Sequence, residues 1–365
     1  MDLRIDRAEL LTELVPMQGV VERKSTVPVL SHLLLRARGD RLQLAATDLE
    51  VSLRSWCDAE VGADGAIAVQ ARKFVEIVRA LDGEQVQLSL EGDQALQIRA
   101  GNSRFKIHGL SPEDFPTLPE VPQGAELLLP FADLKRMIAK VLFAVSAEES
   151  RFQLNGALLR AKDGAVEMVA TDGHRLALVE MPQAAAESSD GVLVPRKALQ
   201  EIQRFDSAED LRFRRGEHHL SFQIGRRELI CRILEGAFPD YEKVISKDSD
   251  KRTVFDRRRL MEVINRVALL SGERARVVRL KLDPAELTVS AVNPDLGEAV
   301  ERLECEYDGP PLEIGLNPDY LAQFLGAVEG EQVRLDLKDA NSQCIGHPVG
   351  AESGRYLCVI MPMRL

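Results

Sequence analysis

The chain has 365 residues, 45% of them apolar, with 47 Lys and Arg against 58 Asp and Glu, giving a net charge of −11. The length suits two or three domains of a globular protein. No apolar run reaches the ~18 residues of a membrane span and no apolar signal core opens the chain, so a cytoplasmic protein without membrane contact is expected. A negative chain argues against nucleic-acid binding unless its cations are segregated onto one surface.

In chain order, the first amphipathic signal is Leu10, Leu11 and Leu14, a short helix that Pro16 should end. Leu42 and Leu44 alternate as a strand. Phe74, Ile77, Val78 and Leu81 return to helical spacing, and Val86, Leu88, Leu90, Leu96 and Ile98 to period two. A Pro-rich join at 119–126 precedes a helix marked by Leu134, Met137, Ile138 and Val141. Ala198, Ile202 and Phe205 mark the next helix. After a polar join at 246–252 come Leu260, Val263, Ile264 and Val267. Asn317-Pro318 reads as a cap with proline in the first turn, opening a helix with Leu321, Phe324, Leu325 and Val328. Val333, Leu335 and Leu337 alternate after it. Helix, strands, helix, strands thus recur three times: the predicted class is α+β, two helices on antiparallel sheets per repeat.

The repeat is also literal. Residues 33–48 (LLLRARGDRLQLAATD) return at 157–172 (ALLRAKDGAVEMVATD) and, more weakly, at 278–293 (VRLKLDPAELTVSAVN). Phe115-Pro116, Phe238-Pro239 and Met361-Pro362 keep the same interval. Two independent markers with one domain-sized period indicate a triplicated domain, with expected limits 1–122, 126–246 and 252–365.

Basic residues repeat with the helices. Arg72 and Arg79, Lys197 and Arg204, and Arg259 and Arg266 are seven apart, and Arg136 and Lys140 four apart; Lys73 and Arg196 lie beside them. Such spacing puts each pair on one face, away from the apolar stripe. Any solvated helix face carries such residues. Their recurrence in an acidic chain favours a surface for phosphates, without sequence preference.

The five cysteines show no CxxC and no histidines at zinc spacing, so free thiols, buried or half-buried, and no metal or cofactor are expected. Thr171-Asp172-Gly173-His174-Arg175 invites a catalytic reading, with Asp172 and His174 serving a hydrolase. Against that, no nucleophile elbow, Walker loop or GxGxxG accompanies it, and Thr47-Asp48-Leu49-Glu50 lacks the histidine. A turn shaping a binding surface accounts for it better. The apolar terminus 359–365 reads as a last edge strand or as the wall of an apolar groove, where two methionines would suit varied peptides.

The segments 170–177, 154–156, 194–197, 238–241 and 361–365, together with the triplicated length, resemble the bacterial DNA polymerase III beta subunit family, the replicative sliding clamps. The resemblance implies a non-catalytic homodimer, closing as a six-domain ring around duplex DNA. It implies that the DNA polymerase alpha subunit, the clamp loader delta subunit and repair polymerases dock short linear motifs in a pocket between the second and third domains. Carried over, that pocket uses Leu154, Thr171, Gly173, His174, Arg175, Leu176, Pro239, Lys243, Val244, Val359, Ile360, Met361, Pro362, Met363 and Arg364. The ring contact would place Phe105 and Ile107 against Leu269 and Leu270. Lys24, Arg196 and Lys197 would face DNA. The acidic Glu148-Glu149 departs from the pattern expected beside DNA.

Overall fold

The computed structural model describes residues 1–22, 26–92, 94–124, 126–148, 150–183, 190–246, 248–272, 276–350 and 354–365. Lys24 and Glu149 lie outside them.

The first third runs β1 (Asp2–Asp6), α1 (Arg7–Val20), β2 (His32–Arg38), β3 (Arg41–Thr47), β4 (Val51–Asp58), β5 (Glu60–Ala63), β6 (Gly65–Gln70), α2 (Ala71–Ala80), β7 (Gln85–Leu90), β8 (Ala95–Ala100) and β9 (Ser103–Leu110). The second runs β10 (Glu126–Leu129), α3 (Phe131–Val141), β11 (Gly156–Lys162), β12 (Ala165–Thr171), β13 (Arg175–Pro182), β14 (Val192–Pro195), α4 (Arg196–Gln203), β15 (Leu211–Arg215), β16 (His219–Ile224) and β17 (Arg227–Arg232). The third runs β18 (Lys251–Asp256), α5 (Arg257–Val267), β19 (Val278–Asp283), β20 (Glu286–Asn293), β21 (Gly297–Glu304), β22 (Leu312–Leu316), α6 (Pro318–Ala327), β23 (Gln332–Leu337), β24 (Cys344–Val349) and β25 (Arg355–Ile360). The cassettes of the sequence are the hairpins β2–β3, β11–β12 and β19–β20.

Two compact units form, Met1–Leu134 with Lys197–Ile233, and Lys135–Arg196 with Leu234–Leu365. In the first unit thirteen strands make one sheet, in which β17 pairs antiparallel with β4 through Glu228↔Arg54 and Leu229↔Leu53. In the second unit eight strands make a sheet in which β25 pairs antiparallel with β13, through Leu176↔Val359 and Leu178↔Leu357. Four more, in the order β21-β20-β19-β22, make a separate sheet. Each internal join is therefore the last strand of one repeat laid on the third hairpin strand of the repeat before it.

The predicted helix phases hold. Phe74, Ile138, Ile202, Ile264 and Phe324 are fully buried, and Asn317 caps α6 through Asp319 N–H, with Pro318 in the first turn. Two expectations need correction. Proline does not end α1, which continues through Pro16 to Val20. Proline at position 16 deprives the Thr12 carbonyl of its helical donor; the Arg227 guanidinium, 3.0 Å away, donates to it instead. The terminal strand is not an edge either: β25 lies between β13 and β24 and is paired on both sides.

Candidate functional site

The site is built at the β13–β25 join of the second unit. Thr171 ends β12, and a tight turn returns the chain into β13. Thr171 Oγ1 donates to the Arg175 carbonyl (2.6 Å) and accepts from Gly173 N–H. Asp172 Oδ1 accepts from the backbone N–H groups of His174 (2.9 Å) and Arg175 (3.0 Å). Gly173 sits at φ 88°, in the left-handed region where glycine carries no Cβ penalty. The first repeat builds the same turn from Thr47 and Asp48, with Leu49 at φ 77° in the glycine's place.

This geometry removes the hydrolase reading. The Asp172 bond to His174 is to the backbone amide, and Asp172 Oδ2 is taken by Arg175 Nε at 3.0 Å. The carboxylate holds a turn and a guanidinium. Arg175 is itself buried, bonded to Gln323 Oε1 and stacked over the Tyr320 ring at 4.2 Å and the Phe143 ring at 5.3 Å. Burying an arginine with both a carboxylate and aromatic faces fixes it as a scaffold piece.

Around this anchor the structure brings most of the expected pocket residues together. Leu176 and Val359 are register partners, and Arg175 pairs with Ile360. Met361 N–H donates to the His174 carbonyl at 2.9 Å, and Met363 N–H to the Gly315 carbonyl at 2.8 Å, which fixes the tail on either side of Pro362. Leu176, Val359, Val169, Leu178 and Tyr241 share one buried cluster, against which Phe238 packs beside Pro239. Gln343 Nε2 donates to the Val244 carbonyl. Leu154 is buried at the end of a 3-10 turn that Arg151 ties to the 171–175 turn by donating to the Asp172 carbonyl. Above this floor, apolar groups are left in solvent: Val244 is 39% exposed, Met361 40% and Phe152 68%. His174, Pro239 and Arg364 are exposed too, and Lys243, paired with Asp240 at 2.8 Å, stands on the rim. The arrangement offers surface for an apolar peptide.

Sequence reasoning missed Arg151, Phe152, Phe143, Tyr320 and Gln323. The last two lie on α6, about 150 residues from the motif they support, so no local spacing could have revealed them.

The predicted basic faces are reproduced unevenly. Arg72, Lys73 and Arg79 are exposed on α2, with Lys73 bonded to Glu76. Arg259 is exposed on α5, and Arg266 is held by Glu301 at 2.6 Å. Arg204 pairs with Glu201, Lys197 with Asp48, Arg196 donates to the Val145 carbonyl at 3.1 Å, and Arg136 lies 3.5 Å from Glu329. Lys140 is a correction: only 3% exposed, its ammonium lies over the Tyr356 ring at 5.0 Å. Four residues turn a helix about 40° past a full circle, so Lys140 stands on the same side as Arg136 but nearer the apolar stripe, where the Tyr356 ring covers it.

Cys57, Cys231, Cys344 and Cys358 are buried free thiols and Cys305 is half-buried; burial pushes Cys344 up to about 12 and lifts the others from the thiol range. Among the described residues no cluster of His, Cys, Asp and Glu could hold a metal, and no helix is long and apolar enough to cross a membrane.

Three α+β repeats, joined strand to strand and carrying exposed apolar groups at the β13–β25 join, define a clamp-type protein. Family models for the N-terminal, central and C-terminal domains of the DNA polymerase III beta subunit match residues 1–119, 128–240 and 242–364. The beta sliding clamps of Pseudomonas aeruginosa and Escherichia coli K12 are 39% and 35% identical to it, over 370 and 369 aligned residues that cover all of both chains. The crystal structure of the P. aeruginosa clamp bound to griselimycin matches with a TM-score of 0.93 at 38% identity, and that of a Caulobacter crescentus clamp with 0.91 at 37%, each over 100% of both chains. The chain belongs to the DNA polymerase III beta subunit family, the bacterial sliding clamps, which are non-catalytic processivity factors of DNA replication.

Proposed function

We propose that two copies of the chain close head to tail into a six-domain ring around duplex DNA in the cytoplasm, with clamp domains over 1–122, 126–246 and 252–365. The observation that carries this reading is the pattern of strand joins. Third hairpin strands β4 and β13 are each covered by the last strand of the following repeat, β17 and β25. Their counterpart β21 is an edge, and β9, the counterpart of β17 and β25, has no partner beyond β8 along Arg104–His108 among the described residues. An unpaired edge invites another chain. A β21–β9 join between copies repeats the internal join, and a heterologous contact that closes makes a ring.

Exposed apolar residues support that contact: Leu269 is 78% exposed, Val300 58% and Phe105 39%, while Leu270 and Ile107 are half-buried beside them in the chain. The basic residues Arg72, Lys73, Arg79, Arg136, Arg196, Lys197, Arg204, Arg259 and Arg266 would meet phosphates without reading bases. The β13–β25 groove would take short linear peptides from the replicative polymerase alpha subunit, the clamp loader delta subunit and repair polymerases. Leu269→Ala with Leu270→Ala tests the ring contact: monomers are expected in sedimentation, and an unaltered dimer mass would remove the assignment.

A further inference from the structure

The first unit carries a cleft that the groove described above does not include. It lies on the β4–β17 join, has a volume of about 810 Å³, and is walled by the 112–118 segment. The equivalent cleft on the β13–β25 join measures only about 280 Å³. The repeat explains the difference. In the second unit Arg160, Glu167 and Glu180 stand side by side across β11, β12 and β13. Arg160 donates to Glu167 (2.8 Å), to the Tyr241 hydroxyl and to Glu242 (3.3 Å), and Tyr241 donates to Glu167 (2.5 Å). Tyr241 and Glu242 thus fill that cleft with the chain's own residues, and Tyr241 is only 5% exposed.

In the first unit the matching row is Arg36, Gln43 and Trp56. Counted by the Phe-Pro marker, Leu118 and Pro119 stand where Tyr241 and Glu242 stand, and Ala45 replaces Val169 beneath them. All three partners of the arginine have been exchanged for groups that cannot meet its charge. Arg36 is exposed and no ion pair or hydrogen bond of its side chain occurs among the described residues. The other cations around the cleft are engaged: Arg54 by the Pro119 carbonyl (2.7 Å) and Glu228, Arg226 by Glu9 and Asp58, Arg227 by Glu13. Trp56 stays half-buried between the Arg41 and Arg226 guanidiniums, 3.7 and 4.3 Å from its ring.

We propose that this cleft is a second peptide site, taking a short segment of a partner protein that presents a tyrosine followed by a carboxylate. The ring fills the space left by Leu118 and Ala45, and the carboxylate pairs with Arg36. The site is independent of the tail-lined groove.

The probe is acetyl-Pro-Asp-Tyr-Glu-Lys-amide, titrated into the full chain and followed by calorimetry and by emission of Trp56, the protein's single tryptophan. Saturable binding at millimolar peptide is expected, weakened roughly tenfold by Arg36→Ala, the loss of one charge-assisted contact. Leu118→Tyr combined with Pro119→Glu should abolish it by restoring the internal cover, whereas deletion of residues 363–365 should leave it unchanged. No saturable response in either readout, equal affinity for acetyl-Pro-Asp-Phe-Gln-Lys-amide, or binding indifferent to Arg36→Ala would overturn the proposal.

Discussion

Arg227 shows how much one side chain holds. Its guanidinium meets both oxygens of Glu13 at 2.9 and 3.0 Å, in surroundings where both residues are under 9% exposed, and also serves the Thr12 carbonyl freed by Pro16. Removing one member of a buried pair strands the other charge, so Arg227→Ala should cost about 3–5 kcal/mol. The urea midpoint measures it, and a loss below ~1 kcal/mol would contradict the assignment. Gly173 is a second test. A Cβ there would lie 2.7 Å from the Arg151 guanidinium, at a φ that disfavours any side chain. Gly173→Ala should therefore lower stability by about 1–2 kcal/mol, read by thermal unfolding, although Leu49 at the matching turn of the first repeat shows that the backbone itself bears a side chain. The turn was legible in the sequence as a Thr-Asp pair repeated one domain apart. Arg227's role was not, because no residue near Pro16 announces a donor arriving from more than 200 positions away.

Among the elements, the helices were the most legible, since a 3.6-residue apolar period survives whatever the helix packs against. Strand partners were not. The run 359–360 carries the same apolar signal whether β25 is an edge or, as found, is paired with both β13 and β24. The phase of the basic residues was legible only in part: α2 keeps its cations outside, while α3 buries Lys140. The free edge of β21 leads to a prediction at this scale. Val300 is 58% exposed there, so Val300→Lys should leave the monomer folded while blocking edge pairing. Size-exclusion chromatography should find monomer with native circular dichroism; a retained dimer would mean that β21 is not the contact. The tail makes another. Deleting residues 363–365 removes the Met363 bond to Gly315 and should abolish binding of partner peptides in fluorescence anisotropy without changing dimer mass. Unchanged peptide affinity would place the groove elsewhere.

For the whole molecule, the net charge of −11 and the DNA-linked role of the family are compatible under the proposed threading, because a threaded ring asks for little affinity. Many of its cations are already shared with Glu or Asp of the same chain. Retention by topology and retention by charge respond differently to the shape of the DNA. The most direct measurement loads the protein with its clamp loader onto nicked circular duplex and then linearises the circle. Stable retention on the circle and rapid loss from the freed ends is the predicted result. Equal retention on circular and linear DNA, falling together as salt is raised, would contradict the account.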